Sequence, residues 1–148
     1  MIYTEKTKLA MKLCFEAHKN QRDKSGLPYV HHPFHLAEQM MDETTTIVAL
    51  LHDVMEDTPY TAEDLAKEGF SEEVLQALQL LTHDPAVPYM DYVLKIRDHP
   101  IARQVKLADL RHNSDLTRLD DVDAGALQRA EKYRQAMALL NGSEKQED

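Results

Sequence analysis

The sequence predicts an all-α fold, a single-domain helical bundle, and three observations carry that reading. Apolar residues recur three and four positions apart, with no convincing run that alternates with polar ones. Helix-start and helix-stop residues punctuate the chain at short intervals. The length, 148 residues, suits one domain with a substantial core that needs no disulfide.

Thr4 can cap a first helix running to about Asn20, whose Ala10, Leu13, Cys14 and Ala17 fall on one buried face. Gln21 to His31 reads as a loop carrying Lys24-Ser25-Gly26 and Pro28. Pro33 suits the first turn of a short second helix, where its missing N–H would have been unpaired anyway. A third helix is expected from near Thr45 until just before Thr58-Pro59, because proline biases its predecessor out of the helical region. This is the most apolar segment, which makes it central. Thr61-Ala62-Glu63-Asp64 and Ser71-Glu72-Glu73-Val74 both look like helix starts, with acidic residues in the first turn, and Gly69 is placed to end the helix between them. After Pro85 and Pro88 a further helix covers Tyr89 to Asp98, and Pro100 opens a longer one to about Leu119. A last helix spans about Ala124 to Asn141. Residues 1–141 are thus expected to form the domain and residues 142–148 a flexible tail.

Composition narrows the partners. Hydrophobic residues make up 43% and charged residues 29%, ordinary for a soluble globular chain. Lys and Arg number 17 against 26 Asp and Glu, and a formal charge of −9 without a basic cluster would repel DNA or RNA. A small phosphorylated ligand stays compatible, since a metal ion and a few lysines reverse the potential inside one pocket. Charged residues interrupt the first segment, so it lacks the apolar core of a signal peptide. No stretch approaches the roughly 18 apolar residues of a membrane span. The single cysteine, Cys14, reads as buried, and a reducing cytoplasm is the expected compartment. The sequence says nothing of oligomeric state.

The informative run is Ile47-Val48-Ala49-Leu50-Leu51-His52-Asp53-Val54-Met55-Glu56-Asp57. On a continuous helix His52, Asp53, Glu56 and Asp57 fall within an arc of about 140°, with the large apolar residues opposite. Three carboxylates and an imidazole crowded there repel one another and lose hydration unless a cation joins them. A plain solvated helix face is the competing explanation, disfavoured by how apolar the rest of the segment is. Two adjacent residues cannot close a metal shell, so imidazole or carboxylate groups from other helices are needed. Tyr29-Val30-His31-His32-Pro33 offers a histidine beside a helix start, and Lys106-Leu107-Ala108-Asp109 with His112-Asn113 offers an aspartate. On that segment Lys106, Asp109 and Asn113 share a face.

His32, then His52-Asp53, then Asp109 reproduces the H…HD…D order of the HD phosphohydrolase superfamily. Ala17-His18, Gln21, Lys24-Ser25-Gly26, Pro28-Tyr29, His32-Pro33, Ala49 to Val54 with Glu56-Asp57-Thr58, and the Lys106 to Asn113 segment more closely resemble the hydrolase domain of RelA/SpoT-type alarmone enzymes. The resemblance covers roughly Phe15 to Leu119. It implies an HD-type bundle holding one divalent ion, Mn2+, through His32, His52, Asp53 and Asp109, and removal of the 3′-pyrophosphate from guanosine tetra- or pentaphosphate. Glu56 and Asp57, one turn from these ligands, are the expected acid/base pair, with Glu56 better placed to take a proton from water. Lys24, Ser25, Lys106 and Asn113 are the expected substrate contacts; Lys106 serves equally well as a structural partner of Asp109. His31 rivals His32 as ligand. His35 is expected to support His32, His18, His83 and His99 to lie in surface or loop positions, and His112 to pack or hydrogen-bond.

This chain departs from the alarmone-hydrolase pattern at Asp23, where an arginine is usual, and at Asp115 and Leu116, where an arginine and a threonine are usual. Acidic for basic in an anion pocket predicts weaker binding of a highly charged nucleotide. A hydrolase of another nucleotide or small phosphate ester is therefore the second expectation. A sensor that binds metal and nucleotide without turnover is a third, which the intact Glu56-Asp57 pair disfavours.

Overall fold

A computed structural model describes residues 1–142 and contains nine α-helices among them, with no strand beyond an isolated bridge between Arg22 and Pro28. The helices are α1 Glu5–His18, α2 His31–Glu38, α3 Glu43–Leu51, α4 Val54–Asp57, α5 Ala62–Lys67, α6 Glu72–Leu81, α7 Tyr89–Ile96, α8 Pro100–Asn113 and α9 Ala124–Asn141. Thr4, Thr61 and Ser71 start their helices as the sequence foretold, and Asp42 and Asp123 do the same for α3 and α9, each accepting a backbone N–H of the first turn. Gly69 follows α5 with φ +92°, a conformation that costs other residues a steric clash.

Helix α3 is the axis of the bundle. Every residue from Thr45 to Leu51 is buried, and α1, α2, α6 and α8 pack around it. Helix α9 closes the far side against α7 and α8. The hydrophobic effect explains this placement, since the chain's most apolar segment gains most from being enclosed on all sides.

The structure departs from expectation in three places. The third helix does not run unbroken to Thr58: it stops at Leu51, turns through His52 and Asp53, and resumes as the single turn α4. Helix α8 ends at Asn113, and a separate 3₁₀ turn, Leu116–Arg118, follows with Asp115 capping it through Oδ1 at 3.0 Å from the Thr117 N–H. His18 is fully buried rather than superficial, because the last turn of α1 packs toward the centre of the bundle. Of the expected tail, Gly142 caps α9 and residues 143–148 lie outside the described residues.

Candidate metal centre

The break in the third helix builds the site. Neighbours on a regular helix point about 100° apart. Asp53 adopts φ −104°, ψ 0°, the bridge conformation common at functional positions, and its Oδ2 comes within 3.0 Å of His52 Nε2. His32 enters from the first turn of α2, and Asp109 from the middle of α8. Asp109 Oδ1 lies 2.8 Å from His32 Nε2 and 3.5 Å from His52 Nε2. Donor atoms of His32, His52 and Asp109 lie within 4.8 Å of one another, and Asp53, Glu56 and Asp57 form a second such group beside them. His31, the rival to His32, is exposed and outside both groups.

The donor set suits a divalent cation, and His52 shows why. The geometry lets its Nδ1–H donate to the Ala49 carbonyl at 2.7 Å, which leaves Nε2 as a bare lone pair. That Nε2 is buried and makes no hydrogen bond among the described residues, yet it faces two carboxylates. A lone pair aimed at anions needs a proton or a metal ion between them. Burial disfavours the imidazolium, but Asp53 and Asp109 outweigh it and hold the His52 pKa well above its ordinary value. Burial likewise raises the Asp53 carboxyl, and the His52 charge brings it down to about 2. Asp109 is held well below the carboxylate range against its own burial by Lys106 and the two imidazoles.

Each donor is fixed by a neighbour. Lys106 Nζ donates to Asp109 Oδ2 at 2.9 Å and Asn113 Nδ2 to Oδ1 at 3.0 Å. Tyr29 hydroxyl donates to Asp53 Oδ2, with its ring leaning on His18 and His32. His32 Nδ1 meets His112 Nδ1 at 2.7 Å, and His35 stacks on His112 with ring centroids 4.1 Å apart. Burial and the nearby His32 and Arg118 push His112 down to about 4, so its ring is neutral.

Two cavities lie on this side of the bundle, the inner one against the cluster. The inner one, about 210 Å³, is walled by Glu56, Asp57, Lys106 and Lys132 beside His52, Asp53 and Asp109. Burial, then the neighbouring Asp53, raise both carboxyls; Glu56 Oε1 also accepts the His83 N–H at 2.6 Å. The outer cavity, about 340 Å³, shares Asn113 and Tyr133 with the inner one and is lined by Lys24, Ser25, Arg22, Arg118 and Arg129. Asp23 lines it too, but its Oδ1 accepts the N–H groups of Ser25 at 2.9 Å and Leu27 at 3.0 Å, closing a loop whose Gly26 sits at φ +81°. Ser25 spends its hydroxyl on the Arg118 carbonyl at 2.6 Å.

The HD domain family model matches residues 10–139. This chain belongs to the HD domain family. Curated relatives include the guanosine-3′,5′-bis(diphosphate) 3′-pyrophosphohydrolase MESH1 of Danio rerio, 33% identical over 132 residues, 80% of this chain and 72% of that protein. Another is the guanosine-3′,5′-bis(diphosphate) 3′-pyrophosphohydrolase of Aquifex aeolicus, 33% identical over 144 residues, 89% of this chain but 19% of that protein. The first curated relatives are far longer than this HD domain, which spans 19%, 9% and 13% of three of them. The solved structure of a metazoan ortholog of SpoT that hydrolyses ppGpp shares the fold, with TM-score 0.79, 23% identity, and coverage of 96% of this chain and 89% of that one.

Sequence reasoning about this HD domain missed the arginines Arg22, Arg118 and Arg129, together with Lys132 and Tyr133. The last helix held a usable signal, since Arg129, Lys132 and Tyr133 recur at the spacing of one helix face. Nothing in the sequence said that this face closes the cavities.

The raised His52 pKa has a measurable consequence. In the metal-free HD domain the imidazolium's stabilising contact is fully present below its unfolded pKa near 6.5 and is lost as pH rises through the higher folded value. A metal ion must displace that proton, so apparent metal affinity is expected to increase with pH, with protons released on binding. Calorimetric Mn2+ titrations in buffers of different ionisation enthalpy check both, and pH-independent affinity with no proton release contradicts the assignment of His52.

Proposed function

We propose that this HD domain is a metal-dependent phosphohydrolase that removes the 3′-pyrophosphate from guanosine tetra- or pentaphosphate. The observation that carries the reading is that the inner cavity, walled by His52, Asp53, Asp109, Glu56 and Asp57, shares Asn113 and Tyr133 with a neighbouring pocket lined by cationic side chains. His32, His52, Asp53 and Asp109 would hold one divalent ion, Mn2+ in this reading. Such an ion, when bound, polarises a phosphoryl oxygen and lowers the pKa of water.

The chain's own residues do the rest. Glu56 takes the proton from attacking water; its raised pKa brings it nearer to the neutral range in which a general base works best. Asp57, one residue on and also raised, hands a proton to the departing group. Lys106 neutralises Asp109 from the cavity wall, and with Lys132 it offsets the charge of an incoming pyrophosphate. Lys24 and Asn113 contact the nucleotide, while Ser25 shapes its pocket by tethering the 23–27 loop to the 3₁₀ turn. The three arginines keep the outer cavity cationic despite Asp23 and Asp115. The domain's place is the cytoplasm in this reading: its single cysteine, Cys14, is buried and in no disulfide, and no described helix is long and apolar enough to cross a membrane.

Asp115 in the outer cavity favours a second reading, hydrolysis of a less charged nucleotide or phosphate ester. Incubating the Mn2+-loaded protein with guanosine tetra- and pentaphosphate, GTP, GDP and other nucleotides separates the two. Pyrophosphate release from the 3′-substituted guanosines is expected. Release of phosphate only from the other nucleotides selects the second reading, and no turnover by metal-loaded protein overturns both.

A further inference from the structure

His32 and His112 meet Nδ1 to Nδ1 at 2.7 Å, with ring planes within 5° of parallel and centroids 4.9 Å apart. The nitrogen separation is shorter than the roughly 3.5 Å at which stacked rings touch, so the two imidazoles lie edge to edge and share a single proton. One of the nitrogens is a donor and the other must be bare. The opposite nitrogen of His32, Nε2, faces Asp109 Oδ1 at 2.8 Å.

We propose that His112 is a positioning residue for the metal centre: its bare Nδ1 accepts the Nδ1–H of His32 and so holds His32 in the tautomer whose Nε2 lone pair faces Asp109 and His52. The inference rests on the reading of His32 as a metal ligand. A cation on the Asp109 side requires that lone pair, which leaves the proton on Nδ1 and the accepting role to His112. Metal-binding histidines ordinarily give their second N–H to a carboxylate, carbonyl or water, as His52 does to Ala49. His32 gives its own to another imidazole, and that imidazole is itself held in place. His35 covers one face of the ring, and Arg118 Nη1 pins the His112 carbonyl at 2.9 Å. The arrangement fixes both the proton and the angle of His32 from outside the cluster.

Two variants separate positioning from packing. H112N keeps an acceptor near the place of Nδ1 but loses the ring; H112F keeps the ring against His35 but has no acceptor. With free Mn2+ counted by electron paramagnetic resonance, H112F is expected to weaken binding about 10- to 100-fold, and H112N to stay close to the parent protein. The reverse order, or equal binding by both variants, overturns the inference while leaving the four-ligand reading intact. A parent protein that binds no Mn2+ overturns the two together. Thermal melts report whether each variant folds. Where H112F does not, nitrogen-15 spectra of the parent protein loaded with diamagnetic Zn2+ decide: the His32 proton is expected on Nδ1, and a proton on Nδ1 of His112 overturns the proposal.

Discussion

Asp109→Ala is expected to abolish metal binding and to cost roughly 3 kcal/mol of stability even without metal. Four groups converge on this carboxylate. Lys106 and Asn113 donate to it, and the His32 and His52 Nε2 atoms lie 2.8 and 3.5 Å away. The Lys106 side chain is only 11% exposed, so removing its partner leaves an ammonium in a poorly solvated wall beside two histidines. Breaking such a pair costs far more than its net contribution, because the surviving charge keeps the whole desolvation penalty. Asp109→Asn separates the effects: an amide oxygen can still accept from Lys106, so part of the stability returns, while the negative charge a cation needs stays lost. Denaturant melts with and without Mn2+ measure both. An alanine variant as stable as the parent protein, and still stabilised by Mn2+, refutes the account.

Glu56→Gln is expected to lower turnover by about 10²- to 10⁴-fold, the usual range for a positioned general base, with metal content unchanged. Glutamine keeps the oxygen that accepts the His83 N–H, so the loop after α6 stays in place and only the titratable group is lost. Asp57→Asn is expected to act in the same direction. The double variant should fall short of the product of the two, since groups serving one proton-transfer sequence are not additive. The losses should appear in kcat, with KM little changed, because neither carboxylate is placed to hold the nucleotide. Burial and Asp53 raise the Glu56 pKa in the metal-free domain, and carboxyl NMR titration of that form should show a group above an ordinary glutamate that disappears with glutamine. Turnover that survives either substitution with bound metal removes that residue from the mechanism.

The helices were legible because their signals are local. Thr61 caps α5, Ser71 caps α6, and Pro100 opens α8, each for reasons contained within one turn. The grouping of His32, His52 and Asp109 was legible through the resemblance to the H…HD…D pattern; the residues alone said only that the cluster at 52–57 calls for a cation and for further ligands from other segments. The break at His52-Asp53 was not legible. Val54-Met55-Glu56-Asp57 continues as helix on local preference, and only tertiary geometry bends the backbone of Asp53. The burial of His18 and the cationic face of α9 were hidden for the same reason: both follow from which helix lies opposite. Asp23 read as a liability because sequence shows its charge and not the two backbone N–H groups it accepts.

The enclosure of α3 bears on where the bundle opens first. His52 and Asp53 hang from the most thoroughly encased helix of the bundle, whereas His32 and Asp109 ride on flanking helices with solvent on one side. Local opening draws on the weaker periphery before the centre. Amide hydrogen exchange is therefore expected to be slowest along α3 and faster along α2 and α8, which keeps the approach to His52 and Asp53 the most rigid part of the bundle.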